Sequence, residues 1–204
     1  MDQQFKELID SSIEILTNFS IPLYLDINNK PIQYGTGFFV KKEGDFYLVS
    51  AAHVLDKSLS HRLYYYTSTN VVRQLSGSLV RSKLKDKREN DHIDIGVVKM
   101  TGDMMSPYLD VKKYAMDYSY LTPAYIPGSS KHYTFIGFPE TKSKVVNSDK
   151  TLRTTAYAYK SDSIQDSDYS KYGVNENTHV VLPLDLKNCE GLNGQKVNFS
   201  SHKV

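Results

Sequence analysis

The chain has 204 residues, 40% of them hydrophobic and 24% charged, a balance that fits an ordinary soluble globular protein with a substantial core and excludes a disordered or fibrous one. A net charge of +2 is too small to imply a polyanionic partner. The single cysteine, Cys189, excludes an intramolecular disulfide framework and favours a reducing compartment.

The N-terminus opens acidic and polar, Met-Asp-Gln-Gln-Phe-Lys-Glu, without the basic and apolar regions of a signal peptide. No apolar run approaches the roughly 20 residues needed to cross a bilayer, so a cytoplasmic location and no membrane partner are expected. Phe5, Leu8, Ile9, Ile13 and Leu16 recur at helical spacing between Asp2 and Asn18 and predict an amphipathic helix.

From Ile21 the pattern changes to period two with β-branched and aromatic runs: "IPLYLDI", "IQYGTGFFV", "FYLVS", "RLYYYTS", "VVRQLSGSLV" and "IDIGVVKM". Asn28-Asn29-Lys30-Pro31 and Lys42-Glu43-Gly44-Asp45 read as turns between them. The mixed-sign stretch "VRSKLKDKREND", Val80 to Asp91, reads as a solvated hairpin loop rather than a nucleic-acid contact. After Met100 comes an irregular connection rich in Asp, Tyr and Met, followed by the strand candidates "YTFIGFP", "RTTAYAY" and "THVVLPLDL". Closely spaced strands of this kind read as antiparallel barrels or sandwiches, and a break between about Gly102 and Pro127 divides them into two units. The sixteen tyrosines, Tyr64-Tyr65-Tyr66 among them, read as strand and core residues.

Two residues stand out chemically. In "FYLVSAAHVL" the alternating strand stops at two alanines, and Ala-Ala-His-Val-Leu has room for only one helical turn, which places His53 where a strand ends. An imidazole there is either a hydrogen-bonded histidine at a core edge or a general base facing a cleft. In "DHIDIGVVKM" Asp94 opens an apolar strand, where a carboxylate is costly to bury unless paired. The separation from His53 leaves room for two or three intervening strands, so a small barrel can return the two side by side. An Asp bonded to an imidazole fixes its tautomer and stabilises the imidazolium. Taken alone, Asp94 also reads as a strand-start or capping residue. Asp91 and His92 are weaker candidates, because they precede the apolar run and fall in the loop.

"GTGFFV" at Gly35 to Val40, then "YLVSAAHVL", then "DIGVV" resembles the first barrel of the trypsin-like, chymotrypsin-fold serine peptidases, in the bacterial cytosolic style without disulfides. The "IGFP" of Ile136 to Pro139 is similar to a strand end in the second barrel of many bacterial members. The resemblance covers roughly Pro22 to Pro139 well and the remainder loosely. It implies an all-β chymotrypsin-like double antiparallel barrel behind the N-terminal helix: residues 1–19 the helix, 20–105 the first barrel, 106–204 a second barrel that is incomplete. It further implies a serine endopeptidase acting on a polypeptide substrate, with His53 as general base and Asp94 as its orienting acid.

The family's nucleophile lies in a Gly-x-Ser-Gly-Gly loop, and this chain contains no such string. The nearest stretch, "GLNGQKV" at Gly191 to Val197, puts Asn193 where serine belongs, and an amide cannot be deprotonated to attack a carbonyl. Two readings follow. Either the chain stops before the motif, so that Asn193-Gly194 is a hairpin turn and a C-terminal continuation or partner domain is expected, or it is a catalytically inactive pseudoprotease acting as a peptide-binding or regulatory module. Too few residues follow Gly194 for the strands and helix the fold places after its serine, which favours truncation. Cys189 lacks the neighbouring glycines of a nucleophile loop and reads as a turn residue, and Ser200 and Ser201 read as surface serines of a terminus. His61, His132, His179 and His202 show no metal spacing, and no phosphate-binding glycine loop is present, so no metal and no cofactor are expected.

Overall fold

The computed structural model describes residues 3–66, 72–82, 91, 93–101, 111, 114–121, 132–139, 144–146, 151–162, 166–175, 179, 181–182, 189–191 and 196–197. Most of them are in β-strands, and the larger sheet is antiparallel and curled. The N-terminal helix α1, Gln3–Phe19, precedes it and lies against the strands Ser20–Ile27 and His132–Gly137, with Ile13 and Leu16 half-buried. The side chains of Phe5, Leu8 and Ile9 fall outside the described set. Among the described residues no helix is long and apolar enough to cross a membrane.

Strands β1 (Ser20–Ile27), β2 (Lys30–Lys42) and β3 (Asp45–Ala51) form a meander. Both turns are two residues long, and their geometry follows from their sequence. Asn28 and Asn29 have φ of 55° and 59°, the double left-handed conformation that a right-handed strand twist demands of a tight hairpin and that asparagine tolerates. Glu43 (φ 51°) and Gly44 (φ 90°) repeat the arrangement. Strand β4 (Leu63–Tyr66) then returns to pair with β1, so the spatial order β4-β1-β2-β3 is that of a Greek key. The crossover from β3 to β4 runs through the one-turn helix α2, Ala52–Asp56, and a 3₁₀ turn at Lys57–Leu59.

The sequence run "VVRQLSGSLV" is not one straight strand. β5 (Val72–Gln74) pairs with β4, while β6 (Gly77–Arg81) pairs with β7 (Ile95–Met100), which in turn pairs with β3. Only Leu75 and Ser76 separate the two ends of the sheet path, and Leu75 still donates its N–H to Leu63 at 2.7 Å. The sheet therefore curls around one apolar core: Ile21, Leu23, Leu25, Phe39, Phe46, Leu48, Leu63, Tyr65, Val98 and Met100, joined by Val54 and Leu55 of α2. Phe39 and Tyr65 meet edge to face at 5.3 Å between centroids. Where β1 leaves the edge of β2, the short β8 (Ala115–Asp117) takes its place in parallel, opposite Phe39–Lys41.

The described C-terminal strands form a separate four-stranded sheet in the order β14-β13-β12-β9 and a two-stranded hairpin of β10 (Lys144–Val146) with β11 (Thr151–Arg153). In the sheet, β9 (His132–Gly137) pairs with β12 (Tyr157–Asp162), followed by β13 (Cys189–Gly191) and β14 (Lys196–Val197). Of the expected strand "THVVLPLDL" only His179, Val181 and Leu182 are among the described residues; none of these three is assigned to a strand, and the His179 N–H donates to the Asn175 carbonyl at 2.9 Å. The loop expected over 80–91 lies mostly outside the described residues.

On the outer face of β3 and β7, Lys99 donates to the Asp45 carboxylate at 2.5 Å. That hydrogen bond, with the charge of Lys99, holds the Asp45 carboxyl below the usual carboxylate range. A lowered folded-state pKa stabilises above the ordinary carboxylate pKa, and the effect disappears as pH falls through the lowered value. Lys99→Met therefore removes an acid-side component of the pH–stability curve, read by thermal melts across pH. The hairpin offers a second check: Glu43→Asn relieves a left-handed glutamate and raises stability by about 0.5–1 kcal/mol, measured by urea unfolding.

Candidate functional site

The site is built where β3 runs out. Ala51 is extended (φ −61°, ψ 140°), and its methyl cannot cap the helix that follows. The cap comes from a distant strand instead. Asp94, just before β7, accepts the Ala52 N–H on its main-chain carbonyl at 2.8 Å and the His53 N–H on Oδ1 at 2.9 Å. Ala52, Val54 and Leu55 are buried, and since helical residues step by about 100°, His53 is the one that turns outward. Burial of Val54 and Leu55 stabilises the turn by about 1.5–3 kcal/mol each.

Two glycines of the sequence motifs make room for this turn. A Cβ on Gly35 would stand 2.7 Å from Val54, and one on Gly96 2.8 Å from Leu55 and 3.3 Å from Ala52. The glycines of "GTGFF" and "DIGVV" thus let two strands approach the His53 turn closely.

Asp94 itself has φ 40°, a left-handed conformation unusual for a non-glycine residue. It lets one side chain serve two bonds: Oδ1 takes the His53 main chain, and Oδ2 takes the His53 ring Nδ1 at 2.5 Å. The ring is thereby fixed at its position and at its rotation. The His53 side chain is 52% exposed and that of Asp94 31%, so the pair sits at the surface with solvent access. Nε2 of His53 has no hydrogen-bond partner among the described residues, which leaves it available to a group entering from solution.

His53 and Asp94 line an open cleft of about 520 Å³ together with Tyr34, Asp56, Lys57, Ser60 and Asp91. Asp56 is paired with Arg81 of β6 at 3.0 Å, which ties the end of α2 to the sheet. Asp91 accepts from the Ser82 hydroxyl and from the Ile93 N–H. Lys57 stands over the Tyr34 ring, 5.8 Å from its centroid. Asp91, a weak candidate from sequence, thus lies beside the pair, and Tyr34 was not singled out at all. The signal for Asp56, Lys57 and Ser60 was their position on the same crossover as His53.

The C-terminal sheet is attached to the same region. Phe138 is gripped at both ends of its peptide: its N–H donates to Thr36 Oγ1 at 2.8 Å, and its carbonyl accepts from the Gln33 amide. Tyr24 adds a bond from its hydroxyl to Thr154 Oγ1 at 3.2 Å. The "IGFP" stretch therefore ends against β2, one residue from Gly35.

Other sequence candidates lie elsewhere. His61 bonds the Ser60 hydroxyl at 2.9 Å, and His179 turns back on Asn175. Cys189 is a strand residue opposite Val197, and His132 is one opposite Asp162. His92, Asn193, Ser200, Ser201 and His202 lie outside the described residues. Among the described residues no group of three or more His, Cys, Asp or Glu side chains is arranged to hold a metal ion. In comparisons with known proteins, no family model matches the chain and no curated protein matches it in sequence.

A neutral imidazole held through Nδ1 by a carboxylate, with Nε2 open, can accept a proton from a donor in the cleft and return it. The arrangement depends on the glycine clearances. Gly96→Val forces side-chain carbons into Leu55 and the Ala52 backbone and costs about 1–3 kcal/mol, seen as a lowered midpoint in urea unfolding with an unchanged m-value.

Proposed function

We propose that His53 and Asp94 are the general base and orienting acid of a trypsin-like serine endopeptidase of the chymotrypsin-like double-barrel type. The observation that carries the reading is the double use of the Asp94 carboxylate, on the His53 N–H and on its ring Nδ1, with Nε2 left open at a cleft. The Greek-key order of the larger sheet and the placement of His53 on its crossover support the same reading.

In this mechanism a serine hydroxyl approaches Nε2. Its Oγ forms a bond to the scissile carbonyl carbon as its proton passes to His53, and Asp94 stabilises the resulting imidazolium. His53 then hands that proton to the amine that leaves as the C–N bond breaks. Water repeats the cycle on the acyl-enzyme. The substrate is a polypeptide lying extended across the cleft. The reading requires a serine in a Gly-x-Ser-Gly-Gly setting, a string that the 204 residues do not contain.

The test joins DNA sequence to labelling. The frame downstream of the Val204 codon continues into Gly-x-Ser-Gly-Gly, the extended product is labelled by a fluorophosphonate at that serine, and the 204-residue chain is not. Labelling is lost in His53→Ala. Asp94→Asn lowers turnover on the order of 10⁴-fold, because the amide presents the wrong tautomer to the ring. A stop codon directly after Val204, with peptide still bound at the cleft, would overturn the peptidase reading in favour of a binding module with Asn193 in the nucleophile's place. Robust labelling of the 204-residue chain would place the nucleophile among its own serines.

A further inference from the structure

We propose that Thr36 is a positioning residue for the His53–Asp94 pair, through which the C-terminal sheet sets the geometry of the site. The inference takes its functional meaning from the reading above, but its test does not need activity.

Thr36 binds in two directions. Its hydroxyl accepts the Phe138 N–H at 2.8 Å, and its main-chain carbonyl accepts the Ser50 hydroxyl at 2.7 Å. Ser50 is buried, and it lies in the ladder between Gly37 of β2 and Gly96 of β7. Ser50, Gly96 and Gly35 adjoin the His53 turn along the chain or in space. Ser50 is three residues before His53 on the same chain segment. Gly96 abuts Ala52 and Leu55 and follows Asp94 by two residues. Gly35, adjacent to Thr36, abuts Val54. A displacement of Thr36 is therefore passed to both partners of the pair, to His53 through Ser50 and Val54 and to Asp94 through Gly96.

The far side of the connection is equally constrained. Gln33 is 3% exposed and donates to the Phe138 carbonyl, so a shift of Phe138 along β2 breaks a hydrogen bond of a buried amide. A hydroxyl is required for this: valine has the shape of threonine without the acceptor, whereas serine keeps the acceptor. The Gly-Thr-Gly triplet of the sequence is thus a junction of three segments, two glycines giving clearance and the central hydroxyl giving the link.

The experiment compares Thr36→Val, Thr36→Ser and Tyr24→Phe in the 204-residue chain, reading amide hydrogen exchange at Phe138 and the ring ¹⁵N shifts of His53 by long-range ¹H–¹⁵N correlation. Thr36→Val accelerates exchange at Phe138 about 5- to 10-fold and displaces the His53 ring shifts, while Thr36→Ser restores both. Tyr24→Phe removes the bond to Thr154 and leaves the His53 shifts in place. Unchanged His53 shifts in Thr36→Val, despite faster exchange at Phe138, would reduce Thr36 to a local structural contact and overturn the proposal. Equal displacement by Tyr24→Phe would also overturn it, as the sign of general loosening. If Thr36→Val does not fold, Gln33→Leu loosens the same peptide from its other end and must displace the His53 shifts in the same sense. A failure of fluorophosphonate labelling leaves these shifts untouched, so the two readings fail separately.

Discussion

One carboxylate in a left-handed backbone holds the candidate site together. Asp94 reaches three groups of a single helical turn: the Ala52 N–H through its carbonyl, the His53 N–H through Oδ1 and the His53 ring through Oδ2. An ordinary strand residue would direct its side chain above or below the sheet and could not do this at the end of β7. The positive φ of Asp94 turns the carboxylate back over the end of β3. That conformation costs free energy, and it persists because three hydrogen bonds and the glycine clearances around α2 fix it.

The rest of the larger sheet supplies the frame for that interaction. The Greek-key crossover buries Val54 and Leu55 in the core and so points His53 out, while the bend at Leu75 and Ser76 brings β7 round to β3. Asp94 and His53 come together because the sheet curls, although β4, β5 and β6 lie between them in the chain. The C-terminal sheet is joined to this frame at Phe138, and the Tyr24 hydroxyl of β1 bonds Thr154, three residues before β12.

Much of this architecture is legible in the sequence because it is locally encoded. Asn28-Asn29 and Glu43-Gly44 announce tight turns, period-two runs announce strands, and Ala-Ala-His-Val-Leu announces a single turn that breaks the alternation. The His53–Asp94 pairing is legible one level up, from a carboxylate opening an apolar strand and an imidazole closing another. What escaped is long-range. The sequence marks the tyrosines as strand and core residues, but nothing local says that Tyr24 and Gln33, 1% and 3% exposed, bond Thr154 and Phe138, more than a hundred residues away in the chain. The left-handed Asp94 has no signature in composition or periodicity.

The central claim is that Asp94 fixes His53 with Nδ1 engaged and Nε2 open, and the measurement that tests it most directly is the tautomer of His53 in the unmodified chain. Ring ¹⁵N shifts at a pH where His53 is neutral distinguish the two forms. The account predicts a protonated Nδ1 and an unprotonated Nε2. A proton on Nε2, or an even mixture of tautomers, would contradict it and make His53 an ordinary surface histidine beside a capping aspartate.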